Sequence, residues 1–474
     1  MNQMLPQKTI EGQPTLEMCR ALMNKGQHKN ALTLLMLLVA HMPDDRDLLT
    51  LVSDCYWEMR RSDQSLNVLQ LLLEQNPHDV ALLARLGSRM LSLGKKEAAV
   101  QAFEAALELH PGNINLICAL DLVSPLDPSG PRAKRLKRAV RLRNTPSEDR
   151  ESAFNTLGRM AERSGDFPSA LKFFQSSKNS RPGRYDGAKL EASVDNQLEV
   201  FTRDNLQSLS FPPQKIRALF VTGTPRSGTT LVESMLSTHP DVGSVGESSS
   251  LQRAKETVKA ECSCNEPDWK WCKNLPQHHR DTGRALYLKG ICQSLDEPKP
   301  WIIDKMPGNI FDLGFAAQAM PEACFIYMKR HPLDIAVSLM TNNLVGSATC
   351  FSKKQRWIAH YILQSERSAE DFQKKLGGRF RMQSYRALVE DTPSQMKEIL
   401  EFLDLPWTDD VLHPENSPLT IRTASVLQVR EGVNLKGLER WKNYEAQLQP
   451  LIKALGGWDW IHEWERRDLR LWLG

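Results

Sequence analysis

Residues 220–233 read Phe220-Val-Thr-Gly-Thr-Pro-Arg-Ser-Gly-Thr-Thr-Leu-Val-Glu233. The apolar run from Ile216 to Val221, broken by Arg217, predicts a buried strand. A Gly/Pro/Ser/Thr turn follows, and then Leu231, Val232, Met235 and Leu236 recur at helical spacing. Strand, glycine turn and helix start aim several backbone N–H groups and a helix N-terminus at one spot, which suits an anion, most often phosphate. Gly223 and Gly228 have the spacing of the first half of the nucleotide phosphate loop, but Thr229 stands where that loop carries lysine. The lysine serves the β- and γ-phosphates, so its loss argues against a terminal phosphoryl donor. A cation has instead moved into the loop as Arg226. Taken alone, the stretch also fits an ordinary βα turn.

The elements that would position this loop extend along the C-terminal half. Three further apolar runs end in polar or basic residues: Trp301–Ile303 before Asp304 and Lys305, Cys324–Met328 before Lys329 and Arg330, and Phe380–Met382 before Tyr385. With helical segments between them these are βα units, and they predict a mostly parallel sheet. Ligands bind such sheets at the carboxyl ends of the strands. Arg226, Lys305 and Arg330 all fall there, and three cations on one edge call for a multiply phosphorylated anion. Singly, Lys305 could instead pair with Asp304 or a surface acid, and Arg330 with Asp334 four residues on.

Pro225-Arg-Ser-Gly-Thr-Thr230 resembles the 5′-phosphosulfate loop of the sulfotransferases that use 3′-phosphoadenosine-5′-phosphosulfate (PAPS). Lys329-Arg330-His-Pro-Leu-Asp-Ile-Ala-Val-Ser338 resembles their 3′-phosphate motif. Asp304-Lys-Met-Pro-Gly-Asn309 and Arg422-Thr-Ala-Ser-Val-Leu-Gln-Val-Arg430 are similar to the bacterial repeat-linked branch. The nearest familiar catalytic relatives are the tyrosylprotein sulfotransferases, and the resemblance covers about residues 217–450.

This resemblance implies transfer of SO3 to an acceptor hydroxyl, by positioning and electrostatics as in phosphoryl transfer. Arg226, Ser227, Gly228, Thr229 and Thr230 would hold the 5′ end of the donor, and Arg330 and Ser338 the 3′-phosphate. Lys305, with Arg226, would steady the leaving phosphate. Glu247, in Gly243-Ser-Val-Gly-Glu247, aligns with the catalytic-base glutamate. A helix N-terminal glutamate is its structural alternative. His239 is the weaker base. Ser425 falls beside the transferred group, Tyr385 near the adenine, and Gln428 and Arg440 among the cofactor-binding positions. Arg440 replaces a lysine of the tyrosylprotein enzymes and Asn342 one of their 3′-phosphate arginines, two departures from the pattern. No metal is expected where arginine and lysine carry the charge.

At 474 residues the chain is long enough for two or three domains, and its net charge of +4 is too small to imply nucleic-acid binding. No apolar run approaches a membrane span, the N-terminus lacks a signal-like pattern, and nine scattered cysteines suggest a reducing compartment; the cytoplasm is expected. Cys262, Cys264 and Cys272, with His278 and His279 nearby, keep a zinc site open, although free cysteines in a polar insertion fit the spacing better. That insertion, Glu261 to Arg280, could form an acceptor-side lid.

The N-terminal part repeats. Pro43, Pro77 and Pro111 are 34 residues apart, as are Gly26, Arg60 and Gly94, and Ala31, Ser65 and Ala99. This resembles the tetratricopeptide (TPR) repeat, a pair of helices per unit. We expect an α plus α/β chain: a TPR solenoid over 1–184, a helical connector over 185–214 and the sulfotransferase domain over 215–474. Repeats fall near 14–47, 48–81, 82–115, a degenerate 116–150 that holds a basic run from Arg132 to Arg138, and 151–184. The solenoid's concave groove would take a protein or peptide; its other role would be to stabilise or dimerise the enzyme. Two rivals remain in view, a TPR scaffold with an inactive C-terminal domain and an NTP-dependent kinase.

Overall fold

The protein is described here by a computed structural model covering residues 15–207, 215–262, 269–293, 295, 297–344, 347–417, 419 and 432–473. The chain opens with helical hairpins: α1 (Leu16–Asn24) with α2 (His28–His41), α3 (Arg46–Glu58) with α4 (Ser62–Gln75), and α5 (Val80–Ser92) with α6 (Lys96–Leu109). Then come α7 (Ile114–Val123), α8 (Pro131–Ala139), and the pair α9 (Ser147–Arg163) and α10 (Phe167–Asn179). The period is visible in the caps. Asp45, Asp79 and Asn113, each two residues after a repeat proline, accept from the backbone N–H of Leu48, Leu82 and Leu116 at 2.8, 3.1 and 3.1 Å. Phe103 and Phe174 cross the small residues Gly87 and Gly158, so each hairpin closes around a buried ring.

Two helices, α11 (Gly187–Val200) and α12 (Arg203–Gln207), lead to the α/β domain and pack on its longest helix, α18 (Gln355–Leu376). The domain runs β1 (Arg217–Gly223), α13 (Thr229–Leu236), β2 (Val242–Gly246), α14 (Ser250–Glu261), α15 (Gln277–Cys292) and β3 (Trp301–Asp304). It continues through α16 (Leu313–Ala319), β4 (Cys324–Lys329), α17 (Pro332–Thr341), α18, β5 (Phe380–Ser384), α19 (Tyr385–Glu390) and α20 (Thr392–Phe402). After a 3-10 segment at Arg440–Gln447, α21 (Gln449–Leu455) and α22 (Trp458–Leu473) close against α18 and β5. None of the described helices is long and apolar enough to cross a membrane.

The sheet is wholly parallel, in the order β2-β3-β1-β4-β5. Its strands alternate between two apolar layers. Ala218, Phe220, Ile302, Phe325 and Tyr327 face one, while Leu219, Val221, Ile303, Ile326 and Met328 face the other. Burial on both faces explains why β1, β3 and β4 read as continuous apolar runs. β2 differs: it is not among the apolar runs read as strands, yet Val242–Gly246 pairs with β3 as the edge strand. Two glycines and a serine in five residues hide a strand that only Val242 and Val245 betray.

Phe174 is fully buried at the α9–α10 crossing. Phe174→Ala should cost about 3–5 kcal/mol and lower the denaturation midpoint accordingly. A loss below about 1 kcal/mol in urea titration would show that this crossing does not hold the last hairpin.

Candidate active site

β1 ends at Gly223, and the loop to α13 brings its own strain. Gly228, the N-cap of α13, has φ 104°, and a Cβ there would meet the Tyr385 ring at 2.4 Å. Arg226 is also left-handed, at φ 77°, a conformation unfavourable for a residue with a Cβ. Its Nε donates to Ser338 Oγ at 2.8 Å. Its carbonyl accepts from Arg330 Nη1 at 2.8 Å, and Arg330 Nη2 donates to the Gly437 carbonyl. The Arg330 guanidinium lies 4.4 Å from the centre of the Tyr385 ring. Arg226, Ser338, Arg330, Tyr385 and Gly228 are thus one cluster. Ser338 serves Arg226 here, and Asp334 does not hold Arg330: its carboxylate accepts from the Glu439 and Trp441 N–H groups at 2.9 and 3.0 Å.

Arg440 completes the cluster from the C-terminal side, ion-paired through Nη2 with Glu162 of α9, which also accepts from Tyr444 Oη at 2.9 Å. Burial, and then the neighbouring charges of Arg330 and Arg440, push the Arg226 guanidinium down to about 10. Such a concentration of positive charge favours an anion. The fully buried Ser227 hydroxyl has no hydrogen-bond partner among the described residues. Beside Arg330 and Tyr385 a cavity of about 260 Å³ opens, with Arg386, Trp464 and Trp472 in its wall.

A second cluster sits at the ends of β2 and β3. The Lys305 N–H donates to the Gly246 carbonyl at 2.9 Å, and its buried ammonium lies 2.6 Å from Glu247 Oε1 and 3.6 Å from Glu233 Oε2. Glu233 is buried on α13 and accepts from Ser244 Oγ at 2.7 Å. The Glu247 side chain is 45% exposed, so its carboxylate meets both Lys305 and solvent. It lies before α14 and pairs with Lys305 instead of capping that helix, whose N-cap is Ser249. Asp304 turns away from Lys305 into the core, where Asn309 Nδ2 donates to it at 3.3 Å and Tyr287 lies alongside.

Thr229 and Thr230 are buried at the start of α13 beside Gly228. Ser425, Gln428 and Cys264 lie outside the described residues. His239 is spent on structure: Nδ1 accepts from the Asp241 N–H at 3.1 Å, which leaves Nε2 to donate to the Pro406 carbonyl at 3.0 Å. Cys272 is buried in the core beneath the sheet, and no three metal-ligating side chains gather among the described residues. Asn342 offers its carbonyl to Lys178 of α10 at 2.5 Å. Sequence reasoning missed Glu233 and Glu162. Each looks like an ordinary polar helix position, and only tertiary contact gives it a role.

A phosphate-loop α/β domain with two charged clusters at its strand ends, braced by a helical repeat array, defines the class of protein. Comparison with known families agrees: residues 218–409 match the Sulfotransferase family and residues 53–114 the Tetratricopeptide repeat. The chain therefore carries a segment that matches the sulfotransferase family behind one that matches tetratricopeptide repeats. An uncharacterized protein of Aquifex aeolicus (strain VF5) is 30% identical over 320 residues, 65% of this chain and 42% of that protein. The Drosophila melanogaster protein-tyrosine sulfotransferase is 25% identical over 293 residues, 58% of each chain. Protein-tyrosine sulfotransferase 1 of Danio rerio is 26% identical over 278 residues, 54% of this chain and 76% of that one. The chain thus spans about half the length of the first two relatives.

Complete burial raises the Asp304 carboxyl from 3.8 to about 8. The folded state then keeps a proton that the unfolded state has released, so this group's contribution to stability falls as pH rises from about 4 to about 8. The expected loss is on the order of a few kcal/mol. Asp304→Asn should flatten that slope in denaturant midpoints taken from roughly pH 4.5 to 8, the window of the shift. Parallel slopes in variant and wild type would show that Asp304 is ionised in the folded protein.

Proposed function

We propose that this chain transfers a sulfuryl group from PAPS to an acceptor hydroxyl. The observation that carries this reading is the division of charge along one sheet edge. An arginine cluster around the phosphate loop stands at the ends of β1 and β4, and a lysine–carboxylate pair at the ends of β2 and β3. The first suits a nucleotide with two separated phosphates, since two arginines with planar forks, Arg330 and Arg226, stand in one cluster. The second suits a reaction that needs a cation and a base together. The donor would bring an SO3 group already activated on its 5′-phosphate.

In this reading Arg226, the Ser227 hydroxyl, which has no partner among the described residues, and the N–H groups at the start of α13 hold the 5′ end. Arg330 takes the 3′-phosphate, with Ser338 holding Arg226 beside it. Arg440 adds positive potential from the C-terminal side. The aromatic cavity next to Tyr385 suits the purine. Lys305 balances negative charge that gathers on the leaving phosphate, and Glu247, reachable from solvent, accepts the hydroxyl proton. Ser425 and Gln428 would act from the segment between Ser417 and Gly432.

The acceptor we favour is a tyrosine hydroxyl in a protein or peptide. Relatives named protein-tyrosine sulfotransferases support it, as does a polar groove of about 590 Å³ along the array. Trp57, Glu58, Arg85 and Arg89 line that groove, and it opens beside Ser249, two residues from Glu247. The array would present the acceptor chain to the base.

Calorimetric binding of 3′-phosphoadenosine-5′-phosphate, set against ADP and AMP, tests the donor. We expect a preference of roughly tenfold or more for the 3′-phosphorylated nucleotide, lost in Arg330→Ala. Equal affinity for all three, or none for any, would overturn the reading.

A further inference from the structure

Arg60 occupies the α3–α4 turn, at the position that Gly26 and Gly94 take in the neighbouring hairpins and Gly165 in the last. All four residues are left-handed, with φ of 61° at Arg60 and 70°, 77° and 79° at the glycines. A residue with a Cβ is disfavoured there, and such strain persists where the surroundings enforce it, characteristically at functional sites. The side chain supplies the reason. It leaves the array and enters the α/β domain, where Nη2 comes to 3.9 Å from Glu233 Oε1. It lies so close to Gly246 that a Cβ on that residue would meet Nη2 at 1.8 Å.

Glu233 is the carboxylate whose other oxygen faces Lys305 at 3.6 Å, while Glu247 holds the same ammonium at 2.6 Å. Four charges therefore alternate across the domain boundary: Arg60, Glu233, Lys305 and Glu247. We propose that Arg60 is a positioning residue for Lys305, so that the repeat array supplies part of the transfer site. The proposal rests on the sulfotransferase reading.

The electrostatics run in one direction. With Arg60 present the formal charges of this group cancel. Glu233 has a second cation, and Lys305 is left to Glu247 and to an incoming phosphate. Without Arg60 the group carries one net negative charge. Glu233, buried at 5% side-chain exposure, then draws on Lys305 as its counter-charge, and the pocket opposes an anion. The neighbouring α1–α2 turn has contacts of its own with the α/β domain: Arg253 Nη1 donates to the Lys25 carbonyl at 2.9 Å, and Lys29 Nζ to the Leu295 carbonyl at 3.1 Å.

The test uses the full chain, with 3′-phosphoadenosine-5′-phosphate as the calorimetric probe and the thermal midpoint as a second readout. Arg60→Gly removes the guanidinium and gives the turn the residue its counterparts carry, so the midpoint should hold or rise. Nucleotide affinity should nevertheless fall roughly tenfold or more. Arg60→Lys should recover part of it, and the effect of Arg60→Gly should vanish in a Lys305→Ala background. Wild-type affinity in Arg60→Gly would overturn the proposal, as would losses that simply add in the double variant. A lowered midpoint with no recovery by lysine would overturn it too, by assigning Arg60 to docking alone. Failure of the wild-type chain to bind the nucleotide would bring down the sulfotransferase reading and this proposal with it. That outcome is separable, because it appears before any variant is made.

Discussion

Cations packed close together repel, and they keep their positive potential for a ligand only if their hydrogen bonds are met by groups that do not cancel the charge. At Arg226 and Arg330 the hydrogen bonds seen among the described residues go to neutral oxygens. Arg226 is held by the Ser338 hydroxyl, and Arg330 by the carbonyls of Arg226 and Gly437. Such partners fix the guanidinium planes and leave the positive potential available to an anion. A carboxylate at either position would neutralise the site before any ligand arrived. Asp334 is near in sequence to Arg330, yet its oxygens are spent on two backbone N–H groups of the C-terminal segment. Arg440, which has a full counter-charge, receives it from the repeat array.

That ion pair is one of several by which the array is tied to the α/β domain. At the α9–α10 end, Glu162 holds Arg440 and Tyr444, Asn155 donates to the Thr341 carbonyl at 2.9 Å, and Lys178 donates to that of Asn342. At the α1–α4 end, the turns bearing Gly26 and Arg60 lie against α14 and Glu233. Each end of the array therefore reaches a different charged cluster, the later repeats the arginines and the earlier repeats the lysine–carboxylate pair.

The sequence made legible what depends on local pattern. Apolar runs with no alternation announced β1, β3 and β4, and the glycine spacing announced the anion loop. The 34-residue period announced the hairpins, because each cap and turn must recur for the helices to stack. What stayed hidden depends on contacts between distant residues. Glu162 and Arg440 are 278 positions apart, and no pattern at either end encodes the other. Glu233 sits on a helix buried all round, where a carboxylate looks like a lone polar interruption. Arg60 was visible as a break in the run of turn glycines, although a break alone does not tell where the side chain goes. Backbone strain was the missing cue. The described non-glycine residues in the left-handed region are Arg60, Arg226, Asp404 and Glu439, and the first two carry their guanidinium groups to the two clusters.

A solenoid is held together mainly by contacts between neighbouring repeats, so a free array can flex along its length. Contacts at both ends with one α/β domain restrain that freedom, and α5–α8 then span two anchored ends. The groove opens beside Ser249, two residues from Glu247, at the end of the array that is tied to α14. Under the proposed reading, an extended acceptor would gain from this, since orienting a chain is among the larger costs of binding it. The same anchoring also makes the charge balance of the site depend on the array being folded. Arg60 and Glu162 reach their partners only when the hairpins around them are stacked. A covalent fusion guarantees that the two bodies meet in one register, which a separate repeat protein would have to find by diffusion. The repeat array thus brings two charged side chains, Arg60 and Glu162, against charged residues of the α/β domain, which is the physical basis on which the proposal makes it a wall of the site.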